Sequence, residues 1–454
     1  MRTKHALGTL PRIGAPDREG EVVEAFIRRP ARLAVVTGLA LVAAMLPAAT
    51  AGSAPAAPAQ EAPEVEPCGE GDASGTTDIG VTDTSITIAT IQDVGGDLRP
   101  GIREDNKKAM EAFVRYCNKQ GGINGRTLEL NEYDSALLEA LEAFEQACAE
   151  DNFAIVGEGV IFDDAGVEPI VECGIPTVPA FSTTAARQLS DLTFPPAPNP
   201  PDRIATGRFE WLKEEFPGVE ERAAMLCAST TTTQYSCDRQ VFAAEQAGFE
   251  FVYQGETEIT VANWGPFVDQ LRQNDVTYLG MVADETNWAG LQRELQAQGL
   301  DIQVVDSGGG IYSEEYLEQA GPAAEDTLIS LGVTPLEEAK KVPELKKYAR
   351  WVKRVGGEPT ALGISGWSAG LLFATAVQSM GSDVTRAGLI SALQDIHEWD
   401  GNGLQALTDP GAKEPSGCFV QLQVKDGEFE RIFPRRGFEC RPDDIADVPE
   451  EFQS

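Results

Sequence analysis

The sequence predicts an α/β protein made of two doubly wound lobes. From Ile79 onward, apolar runs of strand length alternate with amphipathic helical windows, which is the pattern of a parallel sheet covered by helices. A proline-dense stretch, FPPAPNPP at 194–201, interrupts the alternation, and the same pattern then starts again. The 454 residues also suit two or three domains, each with its own core. We therefore expect two α/β lobes joined by hinge crossovers, with a ligand cleft between them.

Each element of the first lobe follows from a local pattern. The predicted strands are the apolar runs 85–92, 127–133, 153–156 and 176–179. Between them, apolar residues at helical spacing predict helices over 104–118 and 136–150, and the first of these stops at the pair Gly121-Gly122. The order strand, helix, strand is that of a doubly wound sheet.

The second lobe repeats this order beyond the prolines. Its predicted helices are 205–215, 239–247, 264–274 and 288–298, and its predicted strands are 222–228, 249–254, 278–282 and 303–306. After Leu331, helices are predicted at 342–355, 362–380 and 386–396. The dipeptide Asp426-Gly427 between two apolar runs predicts a terminal hairpin of strands 419–425 and 429–433.

The N-terminal part of the chain has the layout of an export signal. A 14-residue apolar run, Leu33 to Leu46, follows several arginines and precedes small residues at 49–51, and it is shorter than a bilayer span. Residues 52–78 are rich in Ala, Pro, Gly and acid and predict a disordered linker. We expect a signal peptide at 1–51 and an exported, extracytoplasmic protein. The expected lobes are 79–198 with 333–405 (lobe 1) and 199–332 with 406–445 (lobe 2).

Charge and composition exclude several classes of partner. The chain carries 72 acidic and 36 basic residues, a net charge of −36, which would repel nucleic acid and anionic membrane surfaces. It has only two histidines, and its eight cysteines contain no C-x-x-C pair of the kind that zinc sites reuse. We therefore expect neither a metal nor a cofactor, and we assign the cysteines to disulfides formed in an oxidising compartment.

Short motifs flank several of the predicted elements. They are GVTD at 80–83, GGINGR at 121–126, IVG at 155–157, GIPT at 174–177, the helix 363–380 and VKDG at 424–427. Together they resemble the type I periplasmic solute-binding proteins of the branched-chain amino-acid (Leu/Ile/Val) class, over roughly residues 79–440. The resemblance implies a monomeric, non-enzymatic receptor that closes on a small polar solute, usually an amino acid or an amide. It also implies delivery to an ABC-type permease in the membrane.

In lobe 1, the resemblance assigns ligand contacts to the loops that follow the third and fourth strands. After the third strand the family places a small hydroxyl residue, whereas the loop here reads EGVIFDD at 158–164, and we count Phe162 and Asp163 among the expected contacts. After the fourth strand, Ser182 and Thr183 match the family and would donate hydrogen bonds to a ligand carboxylate.

In lobe 2, the resemblance assigns contacts to aromatic and acidic residues. Tyr235 stands where the family often has a ring over the ligand, Asp284 and Trp288 follow the third strand of the lobe, and Tyr312 follows the fourth. An unpaired buried ion costs on the order of tens of kcal/mol by idealised solvation, so a bound zwitterion needs donors for its carboxylate and an acid for its ammonium. Asp284 or Glu285 would supply the acid.

The cysteines suit four disulfides within the predicted fold. In a doubly wound order the helices that end at Cys148 and Cys173 share one face of the sheet, which brings the two cysteines together. The expected pairs are Cys148 with Cys173, Cys227 with Cys237, and Cys418 with Cys440, which leaves Cys68 with Cys117.

Two other functions fit parts of the sequence. The motif GWSAG at 366–370 satisfies G-x-S-x-G, and Asp383 and His397 follow Ser368 in the chain order of the α/β-hydrolases. That serine must follow a strand, whereas the window before it at 346–355 is helical, so we expect no enzyme. An extracellular sensor module would use the same cleft as a transport receptor, and both remain open on the sequence alone.

Overall fold

The computed structural model describes residues 62–96 and 100–453, which contain twelve α-helices and fourteen β-strands. The strands are Ser85–Gln92 (β1), Thr127–Asp134 (β2), Ala154–Val156 (β3), Thr177–Val178 (β4), Arg203–Ala205 (β5), Ala223–Ala228 (β6), Phe251–Thr257 (β7), Tyr278–Val282 (β8), Val304–Gly308 (β9), Leu328–Leu331 (β10), Cys418–Lys425 (β11), Glu428–Phe433 (β12), Glu439–Cys440 (β13) and Ile445–Asp447 (β14). The helices are Glu104–Gln120 (α1), Ala140–Ala149 (α2), Val167–Cys173 (α3), Ala185–Leu189 (α4), Gly207–Glu215 (α5), Thr231–Gln246 (α6), Gly265–Gln273 (α7), Glu285–Gln298 (α8), Glu314–Ala320 (α9), Pro343–Arg354 (α10), Ala361–Ser379 (α11) and Arg386–Gln394 (α12). The predicted signal peptide lies outside the described residues.

Two separate sheets organise the chain into two α/β lobes. The first sheet has four parallel strands in the order β2-β1-β3-β4. The second has the order β12-β11-β10-β9-β8-β6-β7, in which β6 to β10 are parallel and the terminal hairpin adds β11 and β12 in the antiparallel sense. Both sheets thus begin with the doubly wound order 2-1-3-4, as the repeated sequence pattern predicts.

Helices cover both faces of the lobe 1 sheet. In β1, Ile86 and Ile88 join the core shared with α1, α10 and α11, while Ala89 and Ile91 join the opposite core shared with α2 and α3. Because helices cover both faces, the strand is buried along almost its whole length, as is usual for parallel sheets. The large core of lobe 1 is therefore completed by α10 and α11, which lie later in the chain than all the strands of that lobe.

Helix α11 is the central helix of that core. It is long and apolar enough to resemble a membrane span, yet 78% of its most apolar window is buried inside the protein. Thr360 begins it by accepting a hydrogen bond from the Gly363 N–H at 2.9 Å. An apolar helix without a polar face is accounted for here by burial within a soluble fold.

The described residues contain the four disulfides that the sequence analysis predicts. Cys148–Cys173 joins the ends of α2 and α3, which pack on the same face of the sheet. The other pairs are Cys68–Cys117, Cys227–Cys237 and Cys418–Cys440, and no free cysteine is found in the described part of the chain. Four covalent links that close separate loops indicate a protein that folds under oxidising conditions.

The segment 62–78 differs from the disordered linker expected there. It contains no helix or strand, but the Val65 N–H donates to Asn402 Oδ1 and the Asn402 side-chain amide donates back to the Val65 carbonyl, both at 2.8 Å. Three residues further on, Cys68 is linked to Cys117 on α1. We call residues 62–78 the strap. The disulfide and the hydrogen bonds fix it to lobe 1.

Candidate functional site

The order of the strands places one switch point in each lobe. In lobe 1 it lies between β1 and β3, and in lobe 2 between β6 and β8, because the next strand along the chain is added on the other side of the first. In open α/β sheets, ligands bind outside the carboxyl ends of the strands at such a point. The candidate site therefore consists of the loop at 157–163 in lobe 1 and of the segments 229–235 and 283–288 in lobe 2, which contain the N-terminal turns of α6 and α8.

The loop after β3 of lobe 1 meets the first turn of α6 of lobe 2 at this point. The Thr232 hydroxyl of lobe 2 donates to the Ile161 carbonyl of lobe 1 at 3.3 Å. On the lobe 1 side, Ile161 is held by Asp93, whose carboxylate accepts from the Ile161 N–H at 2.7 Å and from the Ser135 hydroxyl. Burial raises the pKa of Asp93, although these donors and Arg103 oppose the rise. Asp93 follows β1 directly, so it ties the loop after β3 to the switch point.

Asp163 occupies the donors that the sequence analysis assigned to a ligand carboxylate. Its Oδ2 accepts from the Thr183 N–H at 2.7 Å and from the Ser182 hydroxyl at 3.2 Å. Its Oδ1 accepts from the Thr184 N–H at 3.2 Å, and the residue is 1% exposed. The structure thus brings three of the predicted contacts together, but it pairs them with one another.

A buried ion pair between Arg187 and Glu158 connects the segments that follow β3 and β4. Arg187 on α4 donates from Nη2 to both carboxylate oxygens of Glu158 at 2.6 Å, and both side chains are almost completely buried. Arg187 Nη1 also donates to the Thr193 hydroxyl at 2.6 Å. Burial raises the pKa of Glu158, Arg187 opposes that rise, and the nearby charge of Asp163 adds to it. Glu158 and Arg187 therefore fix the loop after β3 to the loop after β4.

Tyr235 approaches this cluster from lobe 2. It lies in the second turn of α6, a helix that begins at Thr231 and thus earlier than the predicted position 239. Within the described chain its buried hydroxyl has no hydrogen-bond partner, and the Arg239 guanidinium lies 5.6 Å from the centre of its ring. Burial raises the pKa of Tyr235, Arg239 opposes the rise, and the Asp163 charge contributes to it. Tyr235 of lobe 2 and Asp163 of lobe 1 therefore share one electrostatic environment.

The remaining predicted residues of lobe 2 lie in structural positions. Asp284 is the N-cap of α8 and accepts from the Asn287 N–H at 3.0 Å. Trp288 is fully buried in the core of lobe 2. Tyr312 packs in the same core, and its hydroxyl donates to Glu337 and accepts from the Leu336 N–H at 2.8 Å. Packing and capping account for these three side chains, and their contact with a solute stays a prediction.

Phe162 is half-buried at the edge of the core formed with α2 and α3, so its contact with a solute also stays a prediction. Asp93 and Thr232, which bind the loop after β3 from β1 and from α6, were not among the predicted contacts. Asp93 had a usable signal, because it follows the first predicted strand immediately. Thr232 had no such signal in the sequence, because its hydrogen bond to Ile161 depends on the position of lobe 1.

The G-x-S-x-G motif has no hydrolase geometry. Ser368 is fully buried in the middle of α11, where its hydroxyl donates to Gln405 Oε1 at 2.7 Å and accepts from the Trp399 indole N–H at 3.0 Å. The His397 side chain is 58% exposed and pairs with Asp409 at 3.0 Å. A nucleophilic serine requires an exposed strand-to-helix turn, so the motif is part of a packed helix.

The fold and the facing loops define a two-lobed binding protein of the periplasmic type. The family model described as "Periplasmic binding protein" matches residues 85–428, and the chain belongs to that family. The members that this chain resembles are solute-binding proteins and not enzymes, in agreement with the expectation of a non-enzymatic protein.

Relatives and solved structures agree with this assignment. The chain is 26% identical over 297 residues to Leu/Ile/Val-binding protein homolog 1 of Brucella suis biovar 1 (strain 1330), which covers 61% of this chain and 74% of that relative. The fatty acid ABC transporter substrate-binding protein from Thermomonospora curvata superposes with a TM-score of 0.68 at 19% identity, over 83% of this chain and 97% of that one. LivJ from Streptococcus pneumoniae str. Canada MDR_19A, in complex with isoleucine, gives a TM-score of 0.64 at 15% identity, over 77% and 100%. At such identities the two structures support the fold alone.

Proposed function

We propose that this protein is an exported receptor that captures a small polar solute, an amino acid or an amide, and delivers it to an ABC importer. The lobes would be those expected from the sequence, 79–198 with 333–405 and 199–332 with 406–445. The observation that carries the proposal is the hydrogen bond between Thr232 and Ile161, which joins the switch points of the two lobes. A solute held there would contact both lobes and stabilise the closed arrangement.

Three further observations support the proposal. The Leu/Ile/Val-binding protein homologs of Brucella share about a quarter of their residues with this chain, at 26% and 27% identity. The apolar run Leu33 to Leu46 has the layout of an export signal, and four disulfides suit an extracytoplasmic protein. The chain passes from one lobe to the other three times: between β4 and β5, after β10, and before β11. Such crossings allow hinge closure.

A thermal-shift screen over amino acids, amides, urea and polyamines tests the proposal. A solute that binds only the folded state raises stability by about 2.7 kcal/mol at one hundred times its Kd, which is easily measured. We expect at least one member to raise the melting temperature in a saturable way, and absence of any shift across the set would reject this solute class.

Variants of one ring locate the site. Tyr235→Ala should weaken binding of the hit by about tenfold or more, because it removes a predicted lobe 2 ring on which the charge of Asp163 acts. Tyr253→Ala serves as the matched control, since Tyr253 is a half-buried tyrosine on the edge strand β7. Equal affinity in both variants would move the site elsewhere.

A further inference from the structure

Asp163 is bound by lobe 1 as a solute carboxylate would be. Two backbone N–H groups and one hydroxyl converge on its carboxylate, from Thr183 at 2.7 Å, Thr184 at 3.2 Å and Ser182 at 3.2 Å. Converging backbone and hydroxyl donors are what a buried carboxylate needs in place of water. We call these three donors the cradle. The chain fills the cradle with its own side chain.

A second carboxylate could not join Asp163 there. Asp163 is 1% exposed, and Glu158 lies close enough for the charge of Asp163 to raise its pKa. Arg187 already forms a hydrogen-bonded ion pair with Glu158 at 2.6 Å, so its charge is largely balanced by that carboxylate. A further anion would meet two like charges in a poorly solvated place, and like charges in such a place strongly disfavour ionisation.

Two of the polar groups left over around the cradle are uncharged hydroxyls, whereas the cations Arg187 and Arg239 are bonded through their Nη atoms and each keep one Nε that is unpartnered within the described chain. Two buried hydroxyls, those of Thr184 and Tyr235, have no hydrogen-bond partner among the described residues. Thr184 also contributes its N–H to the cradle, and Tyr235 comes from the opposite lobe and feels the charge of Asp163. A hydroxyl can both donate and accept, so this pair can satisfy a neutral amide, which carries both kinds of group. Unpartnered buried hydroxyls are costly unless a ligand satisfies them.

We propose that Asp163 determines specificity by occupying the carboxylate cradle, so that the solute presents an uncharged amide at this end and not a free carboxylate. This inference rests on the proposed function and narrows its solute class. Asp163 selects the solute because it occupies the three donors of the cradle, which are then not free to bind a solute carboxylate. Removal of its carboxylate should therefore change which ligands are accepted and not only how tightly they bind.

The decisive experiment is to empty the cradle. Asp163→Ala leaves the three donors without an acceptor, and we expect formate and acetate to raise its melting temperature in a saturable way that chloride at equal ionic strength does not reproduce. Asp164→Ala is the matched control, because it removes the same charge one residue away from an exposed side chain and should not respond. Asp163→Ser, whose hydroxyl can still accept from Thr183, repeats the test if the alanine variant does not fold. A lack of response to formate and acetate in both Asp163 variants would overturn the inference.

Matched pairs of ligands test the preference in the unaltered protein. Leucinamide with leucine, isobutyramide with isobutyrate and acetamide with acetate differ at one group only. We expect the amide of any responding pair to bind at least about tenfold more tightly, and Asp163→Ala to shift that ratio toward the acid. Tighter binding of the acid, weakened by Ser182→Ala, would overturn the inference and leave the proposed receptor function intact. If no ligand of any pair binds the unaltered protein, the proposed solute class is rejected. If Asp163→Ala nevertheless binds acetate, the assignment of the cradle is still supported.

Discussion

Arg187 and Glu158 form a buried ion pair in which each side chain depends on the other. Arg187→Met would leave the Glu158 carboxyl buried without its cation, and we expect a loss of about 3–5 kcal/mol in the free energy of unfolding. Chemical denaturation measures this loss. The double variant Glu158→Gln/Arg187→Met should recover a large part of it, because no uncompensated charge remains.

An exposed pair provides the control for this prediction. Lys353 and Glu358 lie 3.4 Å apart with 62% and 79% of their side chains exposed. Lys353→Met should change the unfolding free energy by about 1 kcal/mol or less, since exposed pairs contribute little. Equal losses at Arg187 and Lys353 would contradict the burial argument.

The residue types of the site were predictable, but their partners were not. Ser182 and Thr183 were predicted as carboxylate donors, and in the structure they do donate to a carboxylate. That carboxylate belongs to Asp163, which lies some twenty residues earlier in the chain, on a different loop. Spacing along a sequence predicts which residues follow a strand, whereas the pairing of two loops depends on how adjacent strands place them. For the same reason Trp288 and Tyr312 could not be assigned to the core from sequence alone.

The contact between α1 and α11 depends on a residue without a side chain. A Cβ atom at Gly370 would lie 2.6 Å from the ring of Phe113 on α1. Gly370→Ala therefore overpacks a rigid aromatic neighbour, and we expect a loss of about 1–3 kcal/mol in unfolding free energy. Gly388→Ala on α12 is the control, because the nearest atom there is the flexible end of Met380 at 2.7 Å. A smaller loss at Gly370 than at Gly388 would refute the close packing of the two helices.

A disulfide that closes a longer loop should stabilise the protein more, by an amount that grows with the logarithm of the loop length. Cys68–Cys117 spans 49 residues and Cys227–Cys237 spans 10, while the four cysteines are similarly buried. In the chain-entropy model the longer loop contributes roughly 1.4 kcal/mol more. Denaturation of the two paired Cys→Ser variants measures the difference, and an equal or reversed order would contradict the entropic explanation for this protein.

The elements differ in how well their ends could be predicted. Strand β1 was predicted with its observed bounds, because isoleucines and β-branched threonines run through it and turn residues lie on both sides. Helix α6 was predicted to begin at position 239, although Thr230 caps it by accepting from the Thr233 N–H. Its first two turns are polar and carry the site residues Thr232 and Tyr235, so hydrophobic periodicity could not detect them.

The whole molecule should become more stable as the pH falls from neutral. Burial raises the pKa values of Asp93, Glu158 and Asp306, so the folded state binds protons at these carboxyls more readily than the unfolded chain does. Stability therefore falls as the pH rises through the interval between the unfolded and the folded pKa values. Self-repulsion at a net charge of −36 acts in the same direction.

Unfolding free energies at pH 7.5, 6.5 and 5.5 should accordingly increase in that order. Added sodium chloride at pH 7.5 should raise the melting temperature, because it screens repulsion between exposed carboxylates. A steady decrease of stability over the same pH range would show that other titrating groups dominate.

At the scale of the whole molecule, the sequence predicted the class of fold and the two-lobed plan. Both follow from the alternation of strands and helices and from its restart after the prolines at 194–201. The extra antiparallel strand β14, which pairs with β5, was not predicted, because its three residues carry no periodicity. Short elements that exist only through a distant partner are the ones that local patterns cannot reveal.

The strap gives the two lobes unequal mechanical roles. Its hydrogen bonds and its disulfide run to lobe 1, so any tether upstream of residue 62 pulls on that lobe. If the lobes close as proposed, lobe 2 is the lobe that moves relative to such a tether, and a docking partner would detect its displacement. A fluorescent pair with one dye on each lobe would report the swing, and a dye on the strap would stay at a constant distance from α1.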